Sequence, residues 1–418
     1  MTSRERVLTA IQHRQPDFVP VDFGAHRSSG ISAIAYARLK RHLGIHSGDL
    51  YVYDMVQQLA IVEAPVLDAV GADVVELGRA FMLAENDWQP WELPDGTPCR
   101  IPAYINVAKR GEDSLLFSDD GVPLAIQKKG CLYFEQIHFP LMESSFEDDD
   151  FADLEKAFPY TMWTGIPVPG THIPLTDDGL RQLAEGAKAL RATTDRAILG
   201  IFGGSMFEVP QFLYRIDTYL EYMALYPEAC VRLSEKLTEL YLARMEKWLG
   251  AVGPYLDIML FGDDLGSQTG PLMSTGMYRK YYKPFHARMW RRAKELAPHV
   301  KTQLHCCGGI EPLIDDLIDA GLDMVNPVQV SCVGMAPQHL KNRFCDRFTF
   351  WGGGCDTQAV LPRGTPAQVR EHVLKQTGIL HQGGGFVFQQ VHNIMADVPP
   401  ENIMAMFRAV AEFGNRQI

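Results

Sequence analysis

Short apolar, β-branched runs recur along the chain, and most stop at Gly, Asp or Asn before an amphipathic stretch with helical spacing. Eight such runs stand out: 18–23 (FVPVDF), 73–77 (DVVEL), 197–202 (AILGIF), 257–261 (DIMLF), 301–305 (KTQLH), 322–326 (LDMVN), 348–351 (FTFW) and 385–389 (GFVFQ). The helical period predicts helices over 176–193, 271–295 with a break near Pro284, 310–320, 337–343 and 366–381. Residues 2–14 predict a first helix, with Thr2 or Ser3 as its cap and Glu5 near its first turn. Strand alternating with helix is the pattern of parallel strands joined by crossovers. Eight units therefore predict an α/β fold of the (β/α)8 TIM-barrel type, with residues 1–418 as one domain. An open doubly wound sheet is the competing architecture, but no GxGxxG follows the first run to support its dinucleotide-binding form.

Residues 85–140 break the alternation. They have no helical period, but Asp95-Gly96 and Asp120-Gly121 each sit between extended runs, which predicts a β-rich insertion folded over the barrel rim. Residues 143–174 are acidic and then rich in Pro and Gly, and read as a surface crossing.

Composition narrows the class. With 46% apolar and 22% charged residues among 418, the chain can bury a large core, which excludes disordered and fibrous proteins. No run approaches the ~18 consecutive apolar residues of a membrane helix. The start, MTSRERVLTAIQHR, is charged and amphipathic and lacks an apolar signal core, so a cytoplasmic protein without a membrane partner is expected. Thirty-nine Lys+Arg against 51 Asp+Glu give −12 with no basic block, which argues against a nucleic-acid partner. Eight cysteines are too sparse for a disulfide scaffold in a chain of this length.

The spacing of those cysteines carries the candidate chemistry. His305-Cys306-Cys307-Gly308 ends the fifth run, where period-2 alternation sends His305 and Cys307 to one face and Cys306 to the other. Two runs later, Trp351-Gly-Gly-Gly-Cys355 brings a third cysteine to the same rim, and alternate strands fill common layers inside a barrel. His305, Cys307 and Cys355 thus form a candidate zinc set with an open fourth position. Cys99, Cys131, Cys230, Cys306, Cys332 and Cys345 read as packing residues. Other polar residues gather at predicted strand ends. Glu208 and Asp263 are candidate catalytic acids or a fourth ligand, with Asp264 beside them; Asp22, Asn326, Gln389, His392 and Asn393 are candidate substrate contacts. For each of these a cap, turn or rim hydrogen bond is the structural alternative. The glycine triplets 352–354 and 383–385 allow a phosphate loop, but the first leads straight into Cys355 and is explained more simply by a close backbone turn.

GDDLGSQTGPLMS (262–274), LHCCGGIEPLIDDLIDAGLDMVNPVQ (304–329), FWGGGCDTQAVLPRGTP (350–366) and VHNIMADVPPENI (391–403) resemble the uroporphyrinogen decarboxylase superfamily, specifically its methyltransferase-like branch. The likeness runs from the first residues nearly to the last. It implies a (β/α)8 barrel. The decarboxylases carry an arginine-bearing stretch after the first strand, whereas here that region reads DFGAHRSSGI with the single Arg27. The zinc methyltransferases carry His-x-Cys and a later Cys, which map onto His305, Cys307 and Cys355. The resemblance therefore implies zinc-dependent methyl transfer between a small methylated donor, such as an aryl methyl ether, and the Co(I) corrinoid of a separate protein, since this chain has no DxHxxG stretch. A metal-free decarboxylase, a thiol-methylating corrinoid enzyme and a non-enzymatic binding barrel are the alternatives, and a homodimer is compatible with each.

Overall fold

The computed structural model describes residues 1–414 and 416–417. Its centre is a seven-stranded, all-parallel sheet in the order Phe386–Val387, Thr349–Trp351, Met324–Asn326, Lys301–His305, Ile258–Gly262, Ala197–Gly203 and Val74–Glu76. These are seven of the eight predicted runs. Alternate residues point inward and build a small inner core of Val74, Ala197, Leu199, Ile258, Leu260, Met324, Trp351 and Val387. The opposite faces pack under the surrounding helices in the main core.

The eighth expected strand, 18–23, is reduced to a single parallel bridge from Val21 to Phe388. Pro20 lacks an amide N–H, so the segment cannot sustain a regular ladder. It still joins both edges of the curled sheet. The Phe388 N–H donates to the Pro20 carbonyl (2.8 Å), Asp22 N–H to the Phe388 carbonyl (2.9 Å), and Asp73 N–H to the Val21 carbonyl (2.7 Å). The Asp73 carboxylate strengthens this seam by accepting Val21 N–H (3.0 Å) and pairing with Arg6 (2.6 Å) and Arg416 (2.9 Å) while fully buried.

The helices follow the predicted pattern closely. Ser3–Ile11 starts from Thr2, whose hydroxyl accepts Glu5 N–H while the Glu5 carboxylate accepts Thr2 N–H, a capping box. Asp177–Thr193 is capped by Thr176. The helix expected over 271–295 breaks into Thr275–Tyr281 and Lys283–Leu296, next to Pro284 as expected. Several helices lie outside the predicted spans, among them Ala33–His42, Ile216–Leu225, Pro400–Ala411 and the 26-residue Pro227–Val252, whose inner stripe includes Leu233, Leu237, Tyr241, Met245 and Trp248. Among the described residues no helix is long and apolar enough to cross a membrane.

The β-rich insertion is present. Trp88–Glu92 and Pro98–Pro102 form an antiparallel pair around the Asp95-Gly96 turn. Asn106–Arg110, Asp113–Phe117, Pro123–Gln127 and Glu135–Gln136 form a four-stranded antiparallel sheet with Asp120-Gly121 at one turn. Residues 143–174 depart from the surface crossing expected of them. Phe146, Phe151, Leu154, Phe158, Met162, Ile166 and Ile173 are buried, because the Pro- and Gly-rich chain still carries an apolar residue every few positions. The triplet 383–385 precedes its strand and therefore lies at the opposite end of the sheet from the 305–307 segment. A Cβ at Gly384 would sit 2.4 Å from the Arg14 carbonyl oxygen, so close backbone packing explains that glycine and no phosphate loop is formed there.

Replacing Asp73 with Ala should leave the buried Arg6 with only the more exposed Asp17 as its partner, strip Arg416 of its contact and open the seam at Val21. A loss of about 3–5 kcal/mol in urea unfolding is expected, far more than an exposed ion pair would give.

Candidate metal centre and cavity

His305 is the last residue of Lys301–His305, and the inward parity that places Gln303 inside the sheet carries His305 to its C-terminal mouth. Beyond it the alternation persists for two residues. Cys306 turns outward into the main core, where its sulfur accepts Leu265 N–H (3.2 Å), and Cys307 returns to the His305 side with Sγ 3.6 Å from His305 Nε2. The third group here is His392. One ligand atom from each of His305, Cys307 and His392 lies within 4.8 Å of the others.

Cys355 is not brought into this group. Trp351 faces inward, so plain alternation would have sent residue 355 inward too. Gly352 and Gly353 take φ of +101° and +82° instead, which breaks the period-2 count. Cys355 ends fully buried in the main core, its thiol near the Asp356 carbonyl (3.8 Å). Its backbone pairs with Gln390, two residues before His392, so the expected strand-end loop is adjacent and only the side chain differs.

The tautomer of His305 follows from its partners. Asn326 Nδ2 donates to the Trp351 carbonyl (3.2 Å) and Gln389 Oε1 (2.6 Å), which leaves Oδ1 to accept from Ser28 Oγ (2.5 Å) and His305 Nδ1 (3.2 Å). With Nδ1 protonated, Nε2 presents a lone pair toward Cys307. Burial, ahead of all other causes, lowers the His305 pKa and holds that of His392 down at about 3. Burial and then the charge of Asp264 push the Cys307 thiol well above its usual range. Two neutral imidazoles and a thiol that ionises on ligation make a donor set suited to zinc.

The two candidate acids separate. Glu208 begins the helix Glu208–Tyr214 and lines the cavity. Burial, followed by the charges of Asp264 and Asp263, raises its pKa well above the ordinary carboxylate range. Asp263 faces the other way. It is fully buried, accepts the N–H groups of Met206 (3.2 Å), Phe207 (2.9 Å) and Glu208 (2.9 Å), and meets His286 Nε2 at 3.1 Å. Its role is to anchor the turn that presents Glu208. The acid on the cavity side is Asp264, whose Oδ1 accepts Cys307 N–H (2.7 Å) and lies 3.6 Å from His305 Nε2. Neighbouring residues after a strand point to opposite sides, so of the Asp-Asp pair it is Asp264 that lines the cavity.

Among the expected substrate contacts, His392 lines the cavity, while Asp22, Asn326, Gln389 and Asn393 do not. They form a hydrogen-bonded layer beneath it. Asp22 accepts Trp351 Nε1–H (2.8 Å) and lies 3.2 Å from His26 Nε2. Gln389 donates to the Ser28 carbonyl (2.8 Å), and Asn393 ties Gly30 N–H (3.0 Å) to Gln57 (2.9 Å). At this depth a strand-end side chain is buried beneath the cavity and does not line it. His26, Arg27, Ser28 and Gln57, supported by that layer, line the cavity instead.

The cavity encloses about 840 Å³. Seven aromatic residues contribute to its walls beside aliphatic and polar ones: Phe158 and Trp163 from the expected surface crossing, Phe202 and Phe212, Tyr241 and Trp248 from the long helix, and Phe261.

An α/β protein is thereby defined whose parallel sheet presents a His/Cys cluster and a large cavity at the C-terminal ends of its strands. Residues 169–413, more than half of the sequence, match the uroporphyrinogen decarboxylase (URO-D) family, and the chain belongs to that family. A solved structure of a methyltransferase from Methanosarcina mazei superposes with a TM-score of 0.57 at 15% identity, covering 99% of each chain. An endo-1,4-beta-xylanase from Caldicellulosiruptor owensensis matches at a TM-score of 0.32 and 12% identity over 61% of this chain and 87% of that chain, too remote to bear on the site. No curated protein sequence matches the chain.

Substituting Asn326 with Ala should free the His305 ring to rotate and lower zinc affinity about 10- to 100-fold in a competition assay with a chromophoric chelator. In the wild type, the Cys307 proton must leave when zinc binds, whereas the imidazoles are already neutral. Affinity is expected to rise about tenfold per pH unit between roughly pH 6 and 8, and the slope should vanish in Cys307→Ala.

Proposed function

We propose that this protein is a zinc-dependent methyltransferase that moves a methyl group from a small methylated donor, such as an aryl methyl ether, to the Co(I) corrinoid of a separate protein. The observation that carries the reading is the convergence of His305, Cys307 and His392 at one end of an aromatic-walled cavity. Family membership and the fold shared with the Methanosarcina mazei methyltransferase support it. In this reading the 18–23 segment is the eighth stave of a (β/α)8 barrel, and the mouth is where donor and partner meet.

His305 Nε2, Cys307 Sγ and His392 would hold the zinc, with Asp264 beside them. A zinc ion bound there supplies Lewis acidity toward the heteroatom that bears the methyl group. The remaining steps belong to the chain's own residues. Asn326 keeps the His305 ring in register, and the aromatic walls exclude water and seat the donor. When the methyl group leaves, the bonding electron pair stays on the donor's heteroatom. Glu208, whose pKa is raised by burial and then by the charges of Asp264 and Asp263, lines the same cavity and would return a proton to it. The alternative of a metal-free decarboxylase lacks a comparable observation, since it leaves the His/Cys cluster unexplained.

Metal analysis of the purified protein tests the reading. About one zinc per chain is expected in the wild type under reducing conditions, strongly reduced in Cys307→Ala and His392→Ala and retained in Cys355→Ala. Zinc absent from the wild type, or lost only on changing Cys355, would sink it. Methylation of a reduced corrinoid protein in the presence of a methoxyarene, abolished by chelator, is the matching activity assay.

A further inference from the structure

The cavity does not stop at the inner side of the sheet. Along the strand Ala197–Gly203, Ile201 points to the inner core and Phe202 to the main core beneath the helices. Both residues line the cavity, which therefore crosses the end of this strand from one side of the sheet to the other. The crossing runs over Gly203 and Gly204, which take φ of +86° and +73°. A Cβ at Gly203 would meet no atom within 4 Å, so two residues without side chains leave the ridge open.

Beyond the ridge lies an outer compartment with walls of its own. The Phe202 ring meets Trp248 at 5.8 Å and Tyr241 at 6.5 Å between centroids, and Phe158 lies nearly parallel to Tyr241 at 6.5 Å. Tyr241 is fixed by its hydroxyl, which donates to the Ser205 carbonyl (3.1 Å). At the lip, Arg244 pairs with Glu155 (2.8 Å) and stands 5.1 Å over Phe158, with the exposed Ala243 beside it. The compartment thus offers ring faces inside and a balanced ion pair at its edge. Size points the same way. A cavity of about 150 Å³ is enough to hold benzene, whereas this one encloses about 840 Å³. A single ring held at His305, Cys307 and His392 would leave the outer walls without contacts.

We infer that the donor is an elongated aromatic methyl ether of two rings, with its methylated ring at the His/Cys cluster and its second ring in the outer compartment among Phe158, Phe202, Tyr241 and Trp248. The orientation of the methylated end rests on the methyl-transfer reading, and the second-ring site rests on the cavity alone. In that reading the second ring lies on the outer side of the strand and leaves the strand-end mouth clear for the partner's corrinoid.

Equilibrium dialysis of the purified protein against anisole and 4-methoxybiphenyl tests the inference without turnover. The wild type should bind the two-ring probe about ten- to a hundredfold more tightly, the gain expected from burying one further phenyl ring. Ala243→Trp and Leu175→Trp, which fill the compartment from two different segments that line it, and Phe202→Leu, which removes a ring face, should each lower that preference by about three- to tenfold. The ratio of the two affinities is the readout, so a general loss of folded protein does not imitate the effect. Should Phe202→Leu fail to fold, Ala243→Trp carries the test from an exposed helix position. Equal affinity for the two probes, failure of 4-methoxybiphenyl to bind, or a preference that none of the folded variants lowers would overturn it. The two readings fail separately. If 4-methoxybiphenyl binds through the outer compartment but no methyl group reaches a reduced corrinoid protein from it, the proposed activity falls and the second-ring site stands.

Discussion

The candidate site depends on where one buried amide is held. Asn326 sits at the end of its strand with no exposure, and all of its side-chain hydrogen bonds are made inside the protein: two donated to the next strand and to Gln389, two accepted from Ser28 and His305. Because its Nδ2 is committed to carbonyl oxygens, its Oδ1 has to face His305, which determines which imidazole nitrogen carries the proton. A buried polar network of this kind is costly unless every member is satisfied, and that cost is what makes its geometry rigid. The same chain of bonds reaches through Ser28 to the segment that carries His26 and Arg27. The His/Cys end of the cavity and the segment carrying Arg27 are therefore referenced to one residue.

Burial then sets the chemistry. Two histidines and a glutamic acid in the same cavity are all driven toward their neutral forms, while Arg27, with Asp54 beside it, supplies the fixed positive charge. Neutral imidazoles are ligands and a neutral carboxyl is a proton donor, so one physical cause prepares both roles. The cavity walls that produce this burial come largely from residues far apart in the chain, notably 158–175 and the long helix Pro227–Val252.

Much of this was legible in the residue pattern. Seven of eight strands, the capping box at Thr2, the helix break near Pro284, the insertion hairpins and the inward pair His305 and Cys307 all follow from period-2 and period-3.6 spacing with local turn chemistry. What was not legible falls where such counting stops. Two glycines at positive φ reversed the side of Cys355, and a proline reduced the first strand to a bridge. A segment rich in Pro and Gly concealed enough apolar residues to become a cavity wall.

The sequence by itself determined the alternation of strand and helix, the end of the sheet at which chemistry gathers, and the His-x-Cys pair, because these depend on residues a few positions apart and on steric periods that hold in any context. Only the tertiary structure decided that His392 and not Cys355 stands beside His305 and Cys307, that Asp264 and not Asp263 lines the cavity, and that Arg27 lines it too. Those outcomes depend on loop dihedrals after a strand ends and on which distant segments fold over the mouth, and no local period encodes either.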